Sequence, residues 1–336
     1  MKKLPFVTAM IVVRNEEKYI KECLYSLLQQ SYPKDRYEVI VIDGCSNDMT
    51  VKIAHKIAAD YKNGPIVRFL ENEKKNLASG WNLGIKNAKG DLVVRIDAHG
   101  YADKDFIRKN VETIINIPDA TCVGGSMETK SISKRGKLIA DILSSPFGIG
   151  NSKFRYSKKA EYVDTVAFGM YRKEIFDQVG FFDETLQRNQ DNDMHRRIRK
   201  AGGKFYLNPE IKSVYYARDT LKGMMKQGFK NGYWNIVTFM KDKESISIRH
   251  IIPLAFVLGI IGCLILGTFF RGFILLLAIV LCVYFALGIF FALKKSHKFI
   301  YIIMMPCMFF CLHICYGSGS LLSIICSPCS KQRRKK

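Results

Sequence analysis

The chain has 336 residues, with 52 lysines and arginines against 30 acidic residues and a formal net charge of +22. That field suits phosphate-rich ligands, nucleic acid or an anionic membrane face, and no nucleic-acid-binding motif accompanies it, so nucleic acid is set aside as a partner. The length allows one large domain or two smaller ones with ample core, and hydropathy divides the chain into a charged, mixed part up to about residue 250 and a very apolar tail.

Seven of the ten cysteines lie in that tail. Cys23, Cys45 and Cys122 remain for the soluble part without a C-x-x-C pair, which argues against a disulfide framework or a zinc site and fits a reducing compartment. The N-terminal segment has a short apolar run and no small-residue cleavage site, so it is expected to be a strand rather than a signal peptide.

The first predicted strand covers 6–13 and is followed by Arg14-Asn15-Glu16-Glu17. Tyr19, Ile20, Cys23, Leu24, Leu27 and Leu28 then fall at helical spacing, and Tyr32-Pro33 stops the helix. A second strand at 39–42 ends in Asp43-Gly44-Cys45-Ser46-Asn47-Asp48, ahead of a helix carrying Ile53, Ala54, Ile57 and Ala58. A third strand at 66–70 precedes a helix marked by Leu77, Trp81, Ile85 and Ala88. This alternation predicts an α/β domain with a parallel sheet and helical crossovers. Neither G-x-G-x-x-G nor G-x-x-x-x-G-K-[ST] occurs, so the dinucleotide and P-loop readings lack their phosphate cradle.

The fourth strand is the short β-branched run between Gly90 and Gly100, ending in Asp97-Ala98-His99. Strand alternation puts Asp97 and His99 on the same side at the carboxyl end, the edge where open α/β sheets bind ligands. A carboxylate and an imidazole there can hold a divalent cation that bridges a diphosphate; the plainer reading is an acidic turn with a solvated histidine. Asn15-Glu16, Asp43 with Asp48, and Asp97 give three strand ends with carboxylates or amides, a pattern suited to ribose hydroxyls and base edges.

Further on, 144–150 is a breaker-rich loop expected to be mobile, 163–168 is a predicted strand, and a short helix over 173–179 leads to the turn Gly180-Phe181-Phe182-Asp183-Glu184. Met194, Ile198 and Ala201 mark a helix that stops at Gly202-Gly203 and places Asp191 at its start. There Asp191 serves either as a cap that complements the helix dipole or as a general base beside a nucleotide site.

The order of Arg14-Asn15-Glu16, Asp43 to Asp48, Asn76 with Asn82-Leu83-Gly84, Arg95-Ile96-Asp97-Ala98-His99, Gly180 to Glu184 and Gln190-Asp191 resembles family 2 glycosyltransferases, from about Val7 to Trp234. Among these it is most similar to the succinoglycan-biosynthesis type of bacterial exopolysaccharide glucosyltransferase. The resemblance implies a GT-A fold with a Rossmann-like mixed sheet, a nucleotide-sugar donor (a UDP-sugar), Mn²⁺ or Mg²⁺, and inversion at the anomeric carbon. It makes Arg14, Asn15, Glu16, Asp43, Asp48, Asn76 and Asp97 nucleotide-sugar-binding residues, Asp97 and His99 the metal pair, and Asp191 the catalytic base. His99 stands where the family usually has a second aspartate, and Gln190 where it more often has glutamate.

The apolar tail supplies the location. Segments 251–270 and 272–293 are each long enough to cross a bilayer, and Arg271-Gly272 joins them as a hairpin. Lys294-Lys295-Ser296-His297-Lys298 then places that loop, and the basic domain before it, on the cytoplasmic side of the cell membrane. The third apolar stretch at 299–325, interrupted by Pro306 and by Gly317-Ser318-Gly319-Ser320, either re-enters or breaks the charge rule. Upstream, 221–240 reads as a basic amphipathic helix in the headgroup region, or as an ordinary domain helix packed on the sheet. The expected organisation is a cytoplasmic GT-A domain at 1–243, a multi-pass membrane domain at 251–326 and a basic tail at 327–336. The expected function is transfer of one sugar to a lipid-linked (polyprenyl diphosphate) saccharide in exopolysaccharide or capsule biosynthesis. Its alternatives are direct charging of a polyprenyl phosphate and, from another class, a silent membrane scaffold binding nucleotide or lipid.

Overall fold

The computed structural model describes residues 4–131, 133, 136–150, 152–217, 219–243 and 250–333, with side chains described as far as 326 in the last helix. The basic side chains of the expected tail at 327–336 lie outside the described residues. In chain order the elements begin β1 (Val7–Val13), α1 (Ile20–Leu28), β2 (Tyr37–Asp43), α2 (Thr50–Asp60), β3 (Ile66–Glu71), α3 (Leu77–Asn87) and β4 (Leu92–Asp97). They continue with β5 (Gly100–Ala102), α4 (Phe106–Asn116), β6 (Ala120–Lys130), α5 (Gly136–Leu143), α6 (Pro146–Ile149), β7 (Glu161–Val163), β8 (Met170–Arg172) and α7 (Ile175–Val179). Last come α8 (Gln190–Lys200), β9 (Lys204–Tyr216), α9 (Leu221–Lys241), α10 (Ile252–Gly267), α11 (Arg271–Lys295) and α12 (Phe299–Arg333). They fall into two compact units, Met1–Glu128 with Lys153–Tyr216, and Thr129–Ser152 with Ala217–Lys336. This division differs from a boundary at 243.

The first unit is built on a sheet of order β3-β2-β1-β4-β8-β6-β9-β5, with β7 on β9. β1, β2, β3 and β4 pair in parallel, and antiparallel pairing begins where β8 joins β4. Burial on both faces explains why β1, β2 and β4 are mostly apolar, with Thr8, Glu38 and Arg95 as their buried polar exceptions. Val7, Ala9 and Ile11 of β1 pack with α1, α2 and α4, whereas Met10 faces Trp81 and Ile85 of α3 and Met194 and Ile198 of α8. Register aligns Val13 with Asp43 and Val12 with Asp97, so three loops open from one edge of the sheet.

Two expectations change here. Residues 164–168 are not a strand; the strands lie on either side, as β7 and β8, because Phe168 takes a left-handed backbone (φ 46°) that an extended chain does not allow. His99 lies in a turn just beyond β4, so its position follows from the turn rather than from strand alternation.

In the second unit α11 (25 residues) and the apolar stretch 299–326 of α12 are long and apolar enough to cross a membrane, whereas α10 has 16 residues and begins at a proline turn. α12 is continuous through Pro306 and 317–320, so the small residues do not break it. They admit neighbours instead. A Cβ at Gly319 would run into the Phe229 carbonyl of α9, and one at Gly232 of α9 would run into the Tyr316 carbonyl of α12. Helix α9 therefore packs backbone to backbone on α12, with Lys222, Lys226 and Lys230 exposed along its other side. Its described partner is therefore α12 rather than the sheet, and the exposed lysine side is the one that a headgroup layer would meet. We expect Gly232→Leu to destabilise this unit by about 1–3 kcal/mol, seen as a lower thermal midpoint in detergent, with Gly262→Leu, which meets no neighbour, as the silent control.

The loop at 144–150 is likewise anchored. Phe147 sits among Tyr284, Phe291, Phe309 and His313, with ring centroids 5.0–5.5 Å apart. Asp141 of α5 accepts from the Tyr301 hydroxyl (2.8 Å) and lies 3.6 Å from Lys295 Nζ.

Candidate active site

The loops after β1 and β2 lace together through the side chains that the sequence singles out. The Asn15 amide donates to Ser46 Oγ (2.9 Å), Asn15 Oδ1 accepts from the Asn47 amide (2.9 Å), and Ser46 donates through its hydroxyl to Asp43 (2.6 Å). Both Asp48 oxygens are engaged, by the amides of Thr50 (2.9 Å) and Glu17 (3.2 Å). Burial alone would raise the Asp48 carboxyl; the Thr50 and Glu17 hydrogen bonds outweigh it and hold the group below the usual carboxylate range. Asn76 caps α3 by accepting from the Ser79 amide (2.8 Å), and Arg14 donates to the Lys75 carbonyl (3.2 Å). Asn15, Glu16, Asp43, Asp97 and His99 thus converge on one sheet edge. Asp48 and Asn76 frame that edge, and, like Asn15 and Asp43, they have partners within the chain.

At the end of β4, burial raises the Asp97 carboxyl, an effect that His99 and then Arg95 oppose. His99 Nδ1 lies 3.5 Å from Glu16 Oε1, and its ring stands edge-on to Tyr215 (4.9 Å) and Tyr19 (6.2 Å). Among the described residues no group of three or more His, Cys, Asp or Glu could enclose a metal ion. The donor set nevertheless fits a hard divalent cation that takes one carboxylate, one imidazole and the oxygens of a diphosphate. A carboxylate held in a desolvated place is one that a cation would stabilise.

Asp191 lies in the first turn of α8, after Asn189 turns the chain through φ 62°. Its Oδ1 is buried 2.6 Å from Arg95 Nη1, while the side chain as a whole keeps 42% of its exposure. One oxygen is therefore pinned and the other is open. Burial would raise this carboxyl, but Arg95 outweighs it and holds the group below the usual range, so Asp191 is ionised at neutral pH. Asp193, the neighbouring acid, is engaged by Arg197 (2.9 Å) and Arg196 (3.3 Å).

Several members of the site were not singled out in the sequence. Arg95, with 6% of its side chain exposed, lies over the rings of Trp81 (5.2 Å) and Phe182 (5.6 Å). His195, one turn after Asp191, is bonded by the Tyr171 hydroxyl (2.6 Å) and the Thr165 hydroxyl (2.7 Å), and burial pushes it down to about 3, so it is neutral. The signal for Arg95 was present: a charge inside an apolar buried strand demands a partner. The turn beneath Arg95 is held by Asn82, which bonds the Phe182 carbonyl (2.9 Å), the Phe182 amide (2.8 Å) and Glu184 (3.0 Å). Asn82→Ala should therefore cost about 2–3 kcal/mol by leaving buried groups unpaired, checked by denaturant unfolding against Asn87→Ala.

The model of "Glycosyl transferase family 2" matches residues 8–180. A dolichyl N-acetyl-alpha-D-glucosaminyl phosphate 3-beta-D-2,3-diacetamido-2,3-dideoxy-beta-D-glucuronosyltransferase of Methanococcus voltae is 33% identical over 82% of this chain and 86% of its own length. The succinoglycan biosynthesis protein ExoA of Rhizobium meliloti is 30% identical over 75% of this chain and 76% of its own. Among solved structures, the mannosyltransferase PcManGT of Pyrobaculum calidifontis, in complex with GDP-Man and Mn²⁺, shares the fold with TM-score 0.59 at 18% identity, over 95% of this chain and 88% of its own.

Proposed function

Because the chain belongs to glycosyltransferase family 2 and so transfers a sugar from a nucleotide sugar in glycan biosynthesis, we propose that it adds one sugar, with inversion, to a lipid-linked saccharide at the cytoplasmic face of a membrane. The observation that carries this reading is the half-open Asp191 carboxylate, beside a strand whose end presents Asp97 and His99. Asn15, Glu16 and Asp43 would hold the nucleoside of a UDP-sugar, inside loops braced by Arg14, Asp48 and Asn76. Asp97 and His99 would hold Mn²⁺ or Mg²⁺, which when bound offsets charge on the departing diphosphate. The open oxygen of Asp191 takes the proton of an acceptor hydroxyl as that oxygen bonds to the anomeric carbon; the bond to the phosphate oxygen breaks and its electron pair leaves with the nucleoside diphosphate. No covalent sugar–enzyme intermediate is needed, because one displacement inverts the centre.

The lipid-linked acceptor is supported by the two helices long and apolar enough to span a bilayer, and by the relative from Methanococcus voltae, whose name gives a dolichyl-linked sugar as its acceptor. Confining both enzyme and acceptor to one surface raises their effective concentration. Lys294 and Lys295, in the last turn of α11, favour the cytoplasmic side for that end. The test is a panel of radiolabelled nucleotide sugars incubated with the full-length protein and a membrane lipid extract. Label is expected to enter organic solvent and to be released by mild acid, as from a polyprenyl diphosphate. Label appearing only in free oligosaccharide in water would overturn the reading, and transfer to short polyprenyl phosphate alone would point to direct charging of the lipid phosphate.

A further inference from the structure

We infer that Arg95 is the positioning residue of the transfer reaction, fixing which oxygen of Asp191 faces the acceptor and tying the base to the donor anchor through one strand. The inference rests on the assignment of Asp191 as base. Its own support is geometric. Arg95 is a buried guanidinium in the middle of β4, where side chains otherwise pack as hydrophobic core, and its Nη1 lies 2.6 Å from Asp191 Oδ1. Trp81 and Phe182 both lie within cation–π range of it, and Asn82 fixes the backbone of Phe182 from both its amide and its carbonyl. The guanidinium therefore has little freedom to follow Asp191. It is Asp191, at the start of a helix and partly exposed, that is held by Arg95.

Residues 95 and 97 share one face of β4, about 7 Å apart along the strand. Val93, on that same face, packs with Trp81 of α3 and Met194 of α8, whereas Val94 and Ile96 face α1 and α4. The guanidinium that orients the base and the carboxylate proposed to anchor the donor's cation are thus successive teeth of one rigid rack. A shift of β4 moves the guanidinium and the Asp97 carboxylate together. With Oδ1 committed to Arg95, only the open oxygen can receive the acceptor's proton, and the side chain loses the rotamers that would turn both oxygens to solvent.

The test uses the full chain, with UDP release from the most active sugar in a UDP-sugar panel as the rate, and calorimetric UDP binding in Mn²⁺ as the check on folding. Arg95→Met keeps the bulk between the rings and removes the charge. It is expected to lower kcat about 100-fold while KM for the donor and UDP affinity stay within about twofold. Arg95→Lys should recover part of that loss, since a charge remains but not the planar fork. In an Asp191→Asn background, Arg95→Met should cost less than about threefold more, because the residue through which it acts is already disabled. A further 100-fold loss in that background would overturn the inference, as would UDP binding lost together with the rate, or an unimpaired Arg95→Met in a protein whose Asp191→Asn form is inactive. Wild-type rates in Asp191→Asn would instead remove the base assignment itself.

Discussion

Asp191→Asn is expected to slow sugar transfer by about 10³-fold or more while UDP binding persists. The substitution is nearly isosteric, keeps an oxygen for Arg95 Nη1 and removes only the capacity to take a proton. The neighbouring acid is not a ready substitute. Asp193 is committed to Arg196 and Arg197 on its own helix, so it would have to break those contacts before it could serve. Single-turnover transfer with calorimetry on the same preparation checks the prediction. Donor binding that vanishes together with activity would mark Asp191 as structural, and retained turnover would shift the search to another acid.

Asp97→Ala is expected to abolish transfer, to below about one part in a thousand, and chelation followed by dialysis should do the same until Mn²⁺ or Mg²⁺ is restored. Asp97 is the one carboxylate at the end of β4, and burial already strains its charged form, so its ionised state leans on His99, Arg95 and any cation bound there. His99→Ala should be milder, because diphosphate oxygens or water can fill a missing imidazole position, whereas loss of Asp97 removes a charged ligand that a neutral donor does not replace. A dialysed, chelator-treated enzyme with full activity would remove the metal role from both residues. The pair of variants also separates metal binding from base chemistry, since added Mn²⁺ should lift the rate of His99→Ala but leave Asp191→Asn unchanged.

The parallel half of the sheet was legible because burial on both faces writes itself as short runs rich in β-branched residues. Residues 39–42, and 92–96 apart from Arg95, read as buried strands, and their ends put Asp43 and Asp97 at the binding edge. The antiparallel half was less legible. Val163 to Phe168 carries the composition of a strand, yet the chain turns there, since Phe168 is fixed in a left-handed backbone and Thr165 is drawn to His195. Phe147 lies in a stretch of glycine, serine and proline that reads as a free loop; only distant aromatic residues reveal it as an anchor. The glycines and serines near 317–320 look like a helix break for the same reason, because the backbones that fill the space at Gly317 and Gly319, those of Pro253 and Phe229, come from other helices. Arg95 was visible as part of a motif but not as a partner of Asp191, since a contact between a strand and a remote helix has no local signature. Asp191, conversely, could be placed at a helix start from periodicity, and the structure adds that one of its two oxygens is taken.

Five residues other than glycine hold a left-handed backbone among those described: Asn15, Cys45, Lys75, Phe168 and Asn189. Asn15, Cys45, Lys75 and Asn189 fall where β1, β2, β3 or the approach to α8 delivers a candidate side chain to the site, and Phe168 packs against Gly100, just beyond His99. Each costs on the order of 1 kcal/mol or more, least for the asparagines. The protein is therefore least relaxed where it is most useful, and selection for heat resistance alone would be drawn to these positions. Glycine at Cys45 or Lys75 would relieve the conformational penalty in the folded chain while letting the adjoining loop wander. Melting temperature and turnover should consequently trade against each other along this rim, and a thermostabilised enzyme of this type is better sought by substitutions on the far faces of α2 and α4, away from the edge where the strands end.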